Sequence, residues 1–209
     1  MLDRFFDMEN PLMQGLQTVA YLMILNVMTI LFSIPVVTAG AALTALFDVL
    51  RAIARQEETY PARMFVRSFK KNLAQGVLMG LIFTFAGICI MLHYVLAASL
   101  MPVLRFVSLA LAYLLIALAA YAFPLLARFK NTIFGTLKNA FLLMAGYFPR
   151  TFLVTACVAA FYVLIIRYPT FCAPLVFMFG ISLPCHIEAV ALDPVLRTME
   201  SNNHAEGKQ

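Results

Sequence analysis

A few polar residues interrupt an otherwise apolar chain, and their types set what chemistry is available. His186 and Glu188 follow Pro184 in the segment Ser182-Leu-Pro-Cys-His-Ile-Glu. An acid inside an apolar stretch is a functional candidate, because burying it unpaired is costly. The plainer reading is that both side chains reach water within a turn of the membrane surface, or that Glu188 pairs with a loop arginine. Cys185, His186 and Glu188 include metal-ligand types, but their spacing keeps them off one helix face, so no metal site is expected. Asn26 lies near the middle of the first apolar run. It suits either a transport path or an interhelical hydrogen bond. His93, near the end of another run, suits a proton relay or an interfacial position.

A second group is basic. Thr44, Asp48, Arg51 and Arg55 are spaced four, three and four apart, which puts them on one narrow stripe of a helix. Arg128, Asn131 and Asn139 belong to a basic segment that also holds Lys130 and Lys138. Such segments can contact anionic lipid, nucleotide or a partner protein, or can simply set topology. No P-loop, GxSxG or HExxH motif occurs in the chain, and no span carries paired acids. The expectation is a protein that is not an enzyme and needs no cofactor, with no nucleic-acid partner.

These residues must be positioned by membrane helices. The 209 residues are 63% hydrophobic and only 12% charged, against about 25% charged in soluble domains. Stretches 73–93, 106–127 and 171–184 contain no Lys, Arg, Asp or Glu. The fold expected is all-α, a polytopic bundle of about five spans at residues 16–35, 73–96, 106–127, 151–166 and 170–192. Residues 1–195 form a single membrane-embedded domain and 196–209 a polar tail, disordered past residue 200. Asn10-Pro11 marks a helix start, and the acidic first ten residues are not those of a cleavable signal peptide. Pro184 should bend the fifth span.

Two further helices are expected to be amphipathic and interfacial. The first, residues 39–55 capped by Thr38, lies in the interface or packs on the bundle with its stripe toward water. The second runs from a Thr132 cap to Gly146, with Thr136, Lys138 and Asn139 toward water. Residues 56–72 form the main loop, with Phe65 and Phe69 on a short turn at the membrane surface. In small-xxx-small form, Gly76-xxx-Gly80 offers a close-packing surface. The four cysteines read as small packing residues.

Orientation follows from the basic residues. With five spans, twelve Lys and Arg fall on one side and three, Arg4, Arg105 and Arg167, on the other. The twelve are expected to be cytoplasmic, with the N-terminus outside and the C-terminus inside a bacterial plasma membrane.

Several segments together carry a resemblance. Ser33-Ile-Pro-Val-Val-Thr-Ala-Gly-Ala-Ala, Arg67-Ser-Phe-Lys-Lys-Asn, Phe123-Pro-Leu-Leu-Ala-Arg-Phe-Lys-Asn-Thr and Leu137-Lys-Asn-Ala resemble the YesL-like family, small bacterial integral membrane proteins with a domain of unknown function. The resemblance covers roughly residues 5–195. Its members are often encoded beside carbohydrate ABC transporters and sensor kinases. It implies an accessory or regulatory partner of such a transporter or its sensor system, with membrane lipid, including anionic headgroups, at the cytoplasmic face. The alternative is a small secondary transporter or channel acting as an oligomer, its path lined by Asn26, His93 or Glu188.

Overall fold

A computed structural model describes residues 11–57, 60–100, 102–129 and 132–206, so the Asn10 cap and Asn131 lie outside the described residues. Among these are eight α-helices and no strand. They are α1 (Pro11–Phe32), α2 (Ala39–Ala54), α3 (Pro61–Leu100), α4 (Pro102–Arg128), α5 (Ile133–Gly146), α6 (Phe148–Arg167), α7 (Pro169–Phe179) and α8 (Ser182–Glu206). Four of them, α1, α3, α4 and α7, open on proline, whose missing N–H costs nothing at the first helical position.

Five helices are long and apolar enough to cross a membrane, making this a multi-pass membrane protein with a helical-bundle fold. The number matches expectation, but one member differs. Val36–Ala54 is among the five, whereas 170–192 is broken into α7 and α8 at Gly180 and Ile181. Pro184 does not kink a span. It sits in the first turn of α8, where proline is tolerated. Beyond it α8 continues to Glu206, so the segment expected to be disordered past residue 200 is helical that far.

The helix at 39–54 is neither interfacial nor turned to water. It is the centre of the bundle, packed on α1, α3, α4 and α8. Leu46, Val49 and Leu50 have no exposed surface. The cause is composition: outside the polar stripe α2 is apolar all round, the pattern of a helix buried on every side. Thr38 stands at its N-cap position, but its hydroxyl donates back to the carbonyls of Phe32 and Pro35 at 2.7 and 2.8 Å, closing the preceding turn instead.

Small residues set the α2–α3 distance. A Cβ added to Gly76 would lie 2.6 Å from Ala41 Cα, and one on Gly80 would lie 2.8 Å from Gly40 Cα. Backbone touches backbone here, so the Gly76-xxx-Gly80 pattern is used, with Gly40 as its counterpart.

The expected loop at 56–72 is mostly helix, because α3 already begins at Pro61. Phe65 is fully buried rather than at a membrane surface, edge-on to Phe32 with ring centroids 5.6 Å apart, and Phe69 meets the same ring at 4.8 Å. The 40 residues of α3 give a rod about 60 Å long, twice the ~30 Å hydrocarbon thickness. Antiparallel to it, α4 brings His93 Nδ1 to 2.7 Å from Ser108 Oγ and Phe83 to 5.5 Å from Phe123. Phe85, Ile88, Met91 and Val95 on this hairpin stay exposed, as lipid-facing residues must.

At Thr132 the hydroxyl accepts from Gly135 N at 3.2 Å, capping α5 as expected. The water-facing assignment fails for Thr136, which is buried with its hydroxyl donating to Thr132 O at 3.1 Å; Lys138 is exposed and Asn139 half-buried. Cys89, Cys157 and Cys185 are free thiols.

Candidate functional site

Polar side chains converge where α2 ends and α3 begins. Two recesses open there, and Glu57 lines both.

The first is built by charge. Arg51 on α2 and Arg55, the residue just past its end, are one helical turn apart, and both address Asp193 of α8. Arg55 Nε lies 2.7 Å from Asp193 Oδ1 and Arg51 Nε lies 4.0 Å away, with all three side chains largely buried. The stripe expected to face water therefore faces a carboxylate instead. Asp48, Arg128, Glu57 and Met64 complete a polar recess of about 140 Å³. The two guanidiniums bind α8 to α2 through one acceptor group. Replacing Asp193 with alanine should cost about 2 kcal/mol, below the usual penalty for breaking a buried pair because some water reaches it. Thermal unfolding in detergent reads this, with Asp193→Asn expected to lose less. Wild-type melting of both variants would show that the pair contributes nothing to holding α8.

The second recess is a cleft of about 420 Å³ between α1, the α2–α3 turn and α8. Gln14, Gln17, Thr18 and Tyr21 form its α1 wall, at helical offsets of three, four and seven from Gln14. Gln17 Nε2 donates to Tyr21 Oη at 2.6 Å, and Gln56 Nε2 lies 3.5 Å from Gln14 Oε1. Opposite stands His186, whose Nδ1 is buried without a hydrogen-bond partner among the described residues. This α1 face did not stand out in the sequence beside Asn26. Its signal was the same face spacing that revealed the α2 stripe.

The turn itself is strained at Gln56, with φ of 55°, the only non-glycine positive φ among the described residues. Its backbone bonds, Gln56 N to Ile53 O at 3.0 Å and Glu57 N to Ala52 O at 3.1 Å, form the paired closure that usually ends on glycine.

Asn26 belongs to neither recess. It is fully buried against the α7–α8 break. Its Nδ2 donates to Phe177 O at 2.6 Å and Val176 O at 3.4 Å, and its Oδ1 accepts from Ile181 N at 2.9 Å and Ser182 N at 3.1 Å. Four bonds use the whole amide, so Asn26 is an interhelical clamp. Glu188 is also buried, and its offset of two from His186 and five from Asp193 turns it away from their shared face of α8. It lies instead within electrostatic reach of Tyr162. Of the candidates read from sequence, the structure gathers Asp48, Arg51 and Arg128 in one recess and His186 in the neighbouring cleft; Asn26, Asn139 and Glu188 line neither. Among the described residues no cluster of three or more His, Cys, Asp or Glu can hold a metal ion.

No curated protein and no solved structure matches this chain. Residues 19–94, from within α1 to near the end of α3, hold Asn26, the α2 stripe and the glycine contact. They match the family model described as "Protein of unknown function, DUF624", with which the YesL-like resemblance of the sequence is consistent.

Proposed function

We propose that this protein is a non-enzymatic accessory or regulatory subunit that docks to a carbohydrate ABC transporter or its sensor system in the bacterial plasma membrane. The observation that carries the reading is the start of α3. Residues 61–72 precede the apolar run at 73–93, and Arg63, Arg67, Lys70 and Lys71 are exposed on them. Twelve helical residues extend about 18 Å, so α3 presents a rigid basic post beyond its lipid-facing part. The charge asymmetry of the loops supports a cytoplasmic position for that post. Exposed cations on a fixed helix suit steering and registering an acidic partner surface.

The rival transport path loses its support. Asn26 has no amide group to spare for a solute, His93 is engaged by Ser108, and Glu188 lines neither recess.

The test is crosslinking in native membrane, then purification in mild detergent. A transport or sensor subunit should co-purify with the wild-type chain. Recovery should fall several-fold with Arg63→Gln, Arg67→Gln and Lys70→Gln combined, while melting of the purified chain is unchanged. Recovery of the chain alone with every crosslinker tried would defeat the reading.

A further inference from the structure

We propose that the cleft between α1, the α2–α3 turn and α8 binds an uncharged, multiply hydroxylated molecule, either a free polyol or sugar or the hydroxylated headgroup of a lipid. The lining decides the class. Among its described residues there is no Lys or Arg and one carboxylate, Glu57. Among the described residues an anion finds no permanent cation there, and a cation finds only one acid.

What the cleft does offer is neutral and two-sided. Gln14, Gln17 and Gln56 each present donors and acceptors, the Tyr21 hydroxyl does both, and the Thr18 hydroxyl, which donates its proton to Gln14 O at 2.9 Å, can accept. Adjacent hydroxyl groups on a ligand need that mixture, since each donates once and accepts in turn. Ile53, Ala54 and Val190 supply an apolar floor for the C–H face of such a molecule. The volume of about 420 Å³ falls within the ~300–1,000 Å³ usual for small-molecule sites.

One observation independent of the lining chemistry points the same way. Gln56 holds a left-handed conformation in which glycine would be relaxed. Strain at that position keeps an amide at the rim of the cleft where a glycine would leave none.

The experiment uses the full chain in an amine-oxide detergent, so that no sugar headgroup competes. Glycerol, myo-inositol, glucose and maltose are titrated by thermal shift and equilibrium dialysis, with inorganic phosphate and choline as charged controls. In a second arm, nanodiscs of phosphatidylcholine with and without a diglucosyl diacylglycerol are examined by native mass spectrometry. Saturable binding of at least one uncharged hydroxylated probe is expected, weakened about ten-fold by Gln17→Leu as hydrogen bonds are lost. Gln56→Gly should raise the melting temperature of the free protein and yet weaken binding, a split that a purely structural glutamine would not give. Binding in the first arm alone identifies a free ligand, and in the second alone a lipid. The proposal is overturned if no uncharged probe binds in either arm, if phosphate or choline binds more tightly, or if neither substitution weakens binding. Co-purification through Arg63, Arg67 and Lys70 reads different residues, so the two results are separable.

Discussion

Asn26→Leu should destabilise the protein by roughly 3–5 kcal/mol, the largest effect expected of any single polar substitution in it. Ile181 N, Ser182 N and Phe177 O would each lose the amide that now satisfies them at 2.9, 3.1 and 2.6 Å. A buried backbone group without a partner costs about 1–3 kcal/mol, and leucine is too apolar to substitute for any of the three. Val176 O suffers less, because Gly180 N also donates to it at 2.8 Å. Thermal unfolding in detergent measures the loss. Hydrogen exchange at residues 177–182 should rise before that of α2, since the break opens locally. If Asn26 instead served a passing solute, Asn26→Leu would abolish flux with the melting temperature unmoved.

Gly40→Ala should be nearly as damaging, at about 3 kcal/mol or more. The added Cβ would lie 2.6 Å from Gly80 Cα and 2.7 Å from Gly80 N, and it would also strike Gly76 O. All three are backbone atoms, so no side chain can rotate aside, and α2 must part from α3. That separation loosens contacts along the most buried helix of the bundle, beyond the usual overpacking cost of about 1–3 kcal/mol. Gly15→Ala is the control. Nothing lies within 4 Å of its added Cβ, and a helix interior gains about 0.5–1 kcal/mol from alanine. Equal melting of the two variants would show that the α2–α3 approach is not as close as described.

Much of the fold was legible because membrane helices announce themselves by length and apolarity. Thr132 capped its helix where expected, and Gly76-xxx-Gly80 marked a real contact. The failures share a cause. Arg51 and Arg55 looked like a water-facing stripe because their neutralising partner, Asp193, lies 138 positions from Arg55 along the chain. A basic stripe reads as solvated until its distant acid is placed. Phe65 was read as surface-bound because its local neighbours are basic, while its aromatic partner, Phe32, belongs to another helix. The Asn26 amide suited two roles by type alone, and only the break in α7–α8 decided between them. The Gln14 to Tyr21 face had a readable period, but its importance depends on a cleft that α8 closes from far along the chain.

The closest approach of α2 to α3 falls at Gly76 and Gly80, near the midpoint of a helix running from Pro61 to Leu100. A continuous helix with its tightest contact near the middle is a lever on a fulcrum. A tilt of about 5° about that point carries each end of a rod about 60 Å long through roughly 2.5 Å, in opposite directions. The basic end at Arg63 and Arg67 and the α3–α4 hairpin tip thus lie at similar distances on either side of the glycine contact. The glycines that let the two backbones touch also fix the point about which any tilt of α3 would turn.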